Sequence, residues 1–183
     1  MPQTLKQGYG LIQIFTGDGK GKTTAALGEI MRSVGIGKKV GMVYFDKGGD
    51  VHYSERSVLE KLGVTIIVTG RDRIDSETGR FDFSVIDEDK EEVRRGLQEV
   101  DRLFKEGYDL VVLDELNTVI GIEMVEGKKV IETLRSRPKQ TEVIITGRNA
   151  TEEMQSEAHL VTEMRMIKHY YYSGVKAREG LDD

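Results

Sequence analysis

The sequence predicts an α/β fold, a mostly parallel sheet with helices on both faces. Three observations carry this. Short runs rich in Val and Ile alternate along the chain with longer amphipathic ones. The runs Val64–Val68, Leu110–Leu113 and Val143–Thr146 are continuously apolar or β-branched, as strands buried on both faces are. The strand–helix–strand order repeats, which implies right-handed crossovers and parallel pairing.

Gly10–Thr16 reads as the first strand and Thr23–Val34 as the helix after it. Val40–Phe45 is a second strand, followed by a helical pattern around Glu55–Leu62, and Val64–Val68 is a third. Glu88–Lys105 carries Val93, Leu97, Val100 and Phe104 at three- and four-residue spacing, the stripe of a core-facing helix. Its polar face mixes both signs of charge and reads as solvated. Leu110–Leu113 and Val143–Thr146 are further strands with a helix near Val125–Arg135 between them, and His159–Met164 reads as the last strand. Gly70–Val85, rich in Arg, Asp, Gly and Ser, reads as a long loop or hairpin.

The 183 residues suit one domain over 1–183, with an N-terminal tail at 1–9, a loop at 70–86 and a C-terminal segment at 165–183. At 38% hydrophobic and 32% charged, the composition is that of a globular protein. The net charge of −5 disfavours a dedicated nucleic-acid binder. Zero cysteines exclude a disulfide framework, a thiolate nucleophile and a cysteine-ligated cluster. No apolar run reaches the length of a membrane span, and Met1–Gly8 lacks the apolar core of a signal peptide. A cytoplasmic protein with no membrane partner is expected.

The strongest motif is Thr16-Gly17-Asp18-Gly19-Lys20-Gly21-Lys22-Thr23-Thr24, placed between a strand and a helix. Small residues let successive N–H groups converge on an anion, and the helix N-terminus adds partial positive charge. Lys22 can reach phosphate oxygens, and the Thr23 hydroxyl can ligate Mg²⁺. Lys20 is either a second phosphate contact or an exposed lysine. The usual loop begins with glycine where Thr16 stands here, and Gly17 comes one residue late. Leu110–Leu113 ends in Asp114-Glu115, the acidic pair expected of a magnesium–nucleotide site. Side chains alternate along a strand, so one acid faces the metal and the other orients its surroundings; spacing does not say which. Together these motifs specify the fold as a three-layer P-loop NTPase (RecA-like) fold.

The run Gly8-Tyr-Gly-Leu-Ile-Gln-Ile-Phe-Thr-Gly-Asp-Gly-Lys-Gly-Lys-Thr-Thr-Ala-Ala-Leu-Gly28 resembles the P-loop type of ATP:cob(I)alamin (corrinoid) adenosyltransferase, whose loop is similarly shortened. Phe45-Asp-Lys47-Gly48, Val111-Val-Leu-Asp114-Glu115-Leu116, Val143-Ile-Ile-Thr-Gly147-Arg148-Asn149 and Leu160-Val-Thr-Glu163-Met-Arg agree in order and spacing. So do Ile167-Lys168-His169 and Gly174-Val-Lys176-Ala177.

The resemblance implies transfer of the 5′-deoxyadenosyl group of ATP to Co(I) of a corrinoid, cobalamin or cobyrinic acid a,c-diamide, with release of triphosphate. Co(I) is itself the nucleophile, so no protein base is required. On this reading Gly17, Asp18, Gly19, Lys20, Gly21, Lys22, Thr23, Thr24 and Arg148 bind ATP. Thr23 and Glu115 hold Mg²⁺, with Asp114 as co-ligand or support, and Lys22 with Glu115 supplies positioning and charge stabilisation. The resemblance also implies a reductant such as a flavoprotein, a homodimer, and bulky apolar groups that displace the lower cobalt ligand. Many relatives carry Gly-aromatic-Thr-Trp where this chain has Gly70-Arg71-Asp72-Arg73. Phe81 and Phe83 either replace that wedge or pack a hairpin. Lys47 and Tyr170 are further corrinoid candidates, although Tyr170-Tyr171-Tyr172 better suits a docked tail. A phosphoryl-transfer ATPase or kinase, and a nucleotide-gated corrinoid carrier that does not react, are the rival readings.

Overall fold

The computed structural model describes residues 8–49, 53–73 and 82–182. Six strands form one sheet: β1 (Ile12–Thr16), β2 (Val40–Tyr44), β3 (Thr65–Val68), β4 (Leu110–Asp114), β5 (Glu142–Thr146) and β6 (Leu160–Glu163). Their spatial order is β3-β2-β4-β5-β1-β6 and every pairing is parallel. Parallel pairing lines up all six carboxyl ends on one rim, where ligands bind in open α/β sheets. β5 lies between β1 and β4, so the residues leaving those two strands face each other across the end of β5.

The helices are α1 (Lys22–Gly35), α2 (Glu55–Lys61), α3 (Asp87–Lys105), α4 (Leu116–Gly121), α5 (Gly127–Arg135) and α6 (Glu152–Glu157), followed by a 3₁₀ turn at Tyr170–Ser173. Side chains alternate across a strand, so β4 feeds both layers. Leu110 and Val112 pack with Ala26, Ile30 and Leu59 of α1 and α2. Val111 and Leu113 pack with Val93, Leu97, Val130 and Leu134 of α3 and α5, joined by Val119 and Met154 of the short helices. This is the three-layer arrangement the sequence predicts. The two edge strands depart from the rest. All four residues of β6 are exposed. In β3, expected from its apolar run to be buried on both faces, only Ile67 is buried because one edge has no neighbouring strand.

The expected helix near Val125–Arg135 starts later, at Gly127, and α4 precedes it as a separate turn. α6 has no apolar stripe, only the buried Met154, and owes its start to Thr151, whose Oγ1 accepts from Met154 N–H at 3.3 Å.

Gly96 lets α3 approach the sheet: a Cβ there would lie 2.6 Å from Cε1 of the fully buried Phe45. Phe45 leads directly into Asp46 and Lys47 at the site rim. Gly96→Leu is expected to cost about 1–3 kcal/mol by overpacking, read as a lower urea midpoint with unchanged slope. An unchanged midpoint would show that α3 does not press on Phe45.

Candidate active site

β1 runs into the glycine loop at Thr16, and Gly17 (φ 99°) and Gly21 (φ 116°) take the left-handed conformation that glycine adopts without steric cost. A Cβ on Gly17 would sit 2.4 Å from Met164 O, and one on Gly19 2.7 Å from the same oxygen. The chain leaving β6 therefore wraps the loop from outside. Gly19 N–H donates to Met164 O at 2.7 Å, and Met166 N–H to Asp18 Oδ1 at 3.0 Å. No side chain caps the start of α1, whose first return bond is Ala25 N–H to Gly21 O at 2.8 Å. The amides of Lys22, Thr23 and Thr24 thus open the helix with no intrahelical acceptor, the arrangement that receives an anion.

Lys22 is buried and donates to Gly19 O at 2.7 Å. Burial pushes its ammonium pKa below the ordinary lysine value, while Glu115 and Asp18 pull the other way and Arg148 adds to the fall. Lys20 is engaged by the C-terminal segment: its ammonium pairs with Asp182 and donates to Tyr170 Oη at 3.1 Å. Tyr170 also hydrogen-bonds Asp182, and Arg178 pairs with the same carboxylate at 2.9 Å. Lys20, Lys22, Arg148, Tyr170, Tyr171 and Asp182 are among the walls of an open cleft of about 480 Å³. A cavity of about 580 Å³ lies at the opposite, amino ends of the strands, among Gln13, Asp109 and Glu142, away from the phosphate loop.

The acidic pair divides its work. Asp114, fully buried, accepts from Thr23 Oγ1 at 2.9 Å and Thr146 Oγ1 at 2.6 Å through Oδ1. Its Oδ2 meets Lys47 Nζ at 2.5 Å. Glu115 has a positive φ of 61°, which turns its side chain away from the strand alternation. Thr118 Oγ1 donates to Glu115 Oε2, and Oε1 lies 3.7 Å from Lys47 Nζ. Burial opposes the Lys47 charge, but Asp114 and Glu115 outweigh it and hold the pKa above the ordinary lysine value. Thr23 donates its only proton to Asp114, so its oxygen lone pairs remain for a cation. Among the described residues no three His, Cys, Asp or Glu cluster as a closed metal site. The donors present suit Mg²⁺, which takes one or two carboxylates and completes its shell with water and phosphate oxygens.

Gly70-Arg71-Asp72-Arg73 leaves β3 beside this rim as a polar lock. Arg71 Nε contacts Asp89 Oδ1 at 2.9 Å and its Nη1 contacts Asp82 Oδ2 at 2.6 Å. Arg73, 5% exposed, pairs with Asp46 at 2.7 Å and Asp89 at 3.2 Å. Asp82 N–H donates to Arg73 O at 2.8 Å, so the two described ends of the 70–86 loop are pinned together as in a hairpin. Phe81 lies outside the described residues, and Phe83 is 85% exposed.

The structure thus brings Thr23, Asp114 and Glu115 together, and places Lys20, Lys22, Arg148 and Tyr170 around one cleft. Lys47, expected at the corrinoid, has its ammonium on the acid pair. Sequence reasoning missed Thr146, Thr118 and Asp182. Thr146 ends a buried strand just before Gly147-Arg148, a readable signal for a rim residue. Asp182, in a charged tail, gave none.

The model of the family described as ATP:corrinoid adenosyltransferase BtuR/CobO/CobP matches residues 8–182. A corrinoid adenosyltransferase of Escherichia coli is 39% identical over 175 residues, covering 94% of this chain and 85% of the relative. One from Sinorhizobium is 33% identical over 184 residues, covering 94% and 80%. Among solved structures, a KaiC-like protein of Pyrococcus horikoshii shares 19% identity at a TM-score of 0.57, across 88% of this chain and 75% of that one, a likeness of fold.

Proposed function

Because the chain belongs to the ATP:corrinoid adenosyltransferase family, we propose that its phosphate loop grips the triphosphate of ATP so that the ribose C5′ carbon, not a phosphorus, meets the corrinoid. The enzyme is an ATP-dependent transferase acting on a corrinoid. In the reaction the Co(I) electron pair forms the Co–C5′ bond. The C5′–O bond breaks and its electron pair leaves on the triphosphate oxygen. No proton moves in this step, so the site need only position charges.

The loop amides and Lys22 bind the triphosphate, and Lys20 joins them once released from Asp182. Thr23 and Glu115 hold Mg²⁺, while Asp114, with both oxygens occupied, fixes the Thr23 hydroxyl. When bound, Mg²⁺ supplies neutralising charge to the triphosphate. Arg148 extends the positive rim beyond the loop. Tyr170 and Phe83 are offered to the corrinoid side, with Phe81 on the same loop. A reductant such as a flavoprotein delivers the electron that makes Co(I), and the enzyme works as a homodimer in the cytoplasm.

The observation that carries this reading is the tie between the phosphate loop and the acid pair, Thr23 Oγ1 to Asp114 Oδ1 at 2.9 Å. Incubation with ATP, Mg²⁺ and chemically reduced corrinoid is expected to yield adenosylated corrinoid and intact triphosphate in equal amounts. Accumulation of ADP in place of triphosphate would indicate phosphoryl transfer, and binding without product would indicate a carrier.

A further inference from the structure

We propose that Lys47 is the resident counter-cation of the acid pair, and that it makes divalent-cation binding conditional on ATP. This role presupposes that Glu115 and Thr23 take the divalent cation. Lys47 Nζ lies 2.5 Å from Asp114 Oδ2 and 3.7 Å from Glu115 Oε1, bridging the two carboxylates. Its placement is built. Lys47 N–H donates to Thr69 O at 3.0 Å, and Lys47 O accepts from Arg56 Nη2 at 2.6 Å. Asp46, at φ 53° and held by Arg73 Nε at 2.8 Å, sets the turn that aims the side chain inward. The rings of Tyr44 and Tyr53 lie 6.0 and 5.8 Å from the ammonium.

A buried carboxylate without a partner is costly, so the pair needs a positive charge before any metal arrives. Lys22 acts on Glu115 from a distance, with its ammonium donating to Gly19 O, whereas Lys47 pairs directly with both acids. A lysine ammonium is a compact point charge, nearer to a small metal ion in form than a guanidinium is. A divalent cation arriving alone at Glu115 meets the repulsion of the Lys47 ammonium, 3.7 Å from Oε1, and must push it off that carboxylate while bringing no new partner for it. Arriving with ATP, it brings phosphate oxygens, and the released ammonium gains an anion. Lys47 is thus a positioning residue that couples metal entry to nucleotide.

Mn²⁺ serves as the probe, titrated into nucleotide-free protein and followed by the free-ion EPR signal. Wild type is expected to bind it weakly. Lys47→Gln is expected to bind one Mn²⁺ about tenfold or more tightly, since the competing state is removed. The double variant Lys47→Gln, Glu115→Gln should lose that gain. If Lys47→Gln is too unstable to titrate, its melting midpoint is read instead, and Mn²⁺ should raise it more than it raises that of wild type. Tight nucleotide-free binding by wild type would overturn the role, as would a folded Lys47→Gln with no gain, a gain that survives Glu115→Gln, or an unstable variant that Mn²⁺ does not restore. Triphosphate release by wild type reads the transfer reaction separately, so Lys47 can fail here while that reading stands.

Discussion

Lys22→Ala is expected to lower corrinoid adenosylation by about 10²–10³-fold, mostly in kcat at saturating ATP. The ammonium is buried at the mouth of the phosphate loop, where it donates to the Gly19 carbonyl. In the transfer step, negative charge grows on the triphosphate oxygen as C5′–O breaks. A fixed positive charge therefore stabilises the transition state more than bound ATP, which is why kcat rather than KM should fall. The lowered pKa of Lys22 adds a pH signature. In the free enzyme the ammonium is lost as pH rises through that pKa, so kcat/KM for ATP should decline on the alkaline side earlier than an exposed lysine would dictate. Lys22→Ala should abolish that limb. Near wild-type turnover would remove Lys22 from the triphosphate site.

The parts of the site that were legible in the sequence are those whose physics is local. A phosphate loop needs a strand, glycines at fixed offsets and a helix start, all within Ile12–Thr24, and the positive φ of Gly17 and Gly21 follows from that geometry. The buried strands were readable because an apolar run marks burial on both faces wherever its neighbours lie. Non-local partners were not. Thr146 reaches Asp114 across 32 residues of sequence, and Lys20 meets Asp182 across 162. Nothing in either pair's flanking residues encodes the other. Arg71 and Arg73 show the same limit from another side. As sequence they read as an absent aromatic wedge, whereas the fold turns both guanidiniums onto Asp46, Asp82 and Asp89. The helices α4 and α6 were missed because six residues hold too few turns to show a period.

Asp114→Ala is expected to cost about 3–5 kcal/mol of stability, the penalty for breaking a buried ion pair from one side. The carboxylate is fully buried, and both of its oxygens are hydrogen-bonded: two threonine hydroxyls on Oδ1 and the Lys47 ammonium on Oδ2. Truncation leaves the Lys47 charge, only 17% exposed in its side chain, with Glu115 at 3.7 Å as its remaining carboxylate among the described residues. It also removes the acceptor of both hydroxyl protons, although Thr146 Oγ1 still accepts from Glu115 N–H at 3.0 Å. Asp114→Asn separates these effects. One amide oxygen can still accept from Thr23 and Thr146, but the amide nitrogen would present hydrogens to an ammonium. Asn should therefore fall between wild type and Ala in urea midpoint. Because Asn keeps the Thr23 hydrogen bond, it should also retain more of the ATP-dependent metal affinity than Ala does. If Asp114→Ala instead costs under about 1 kcal/mol, the pair behaves like a solvent-screened surface contact. The end of β4 would then be hydrated, and Asp114 would not be what fixes Thr23 beneath the phosphates.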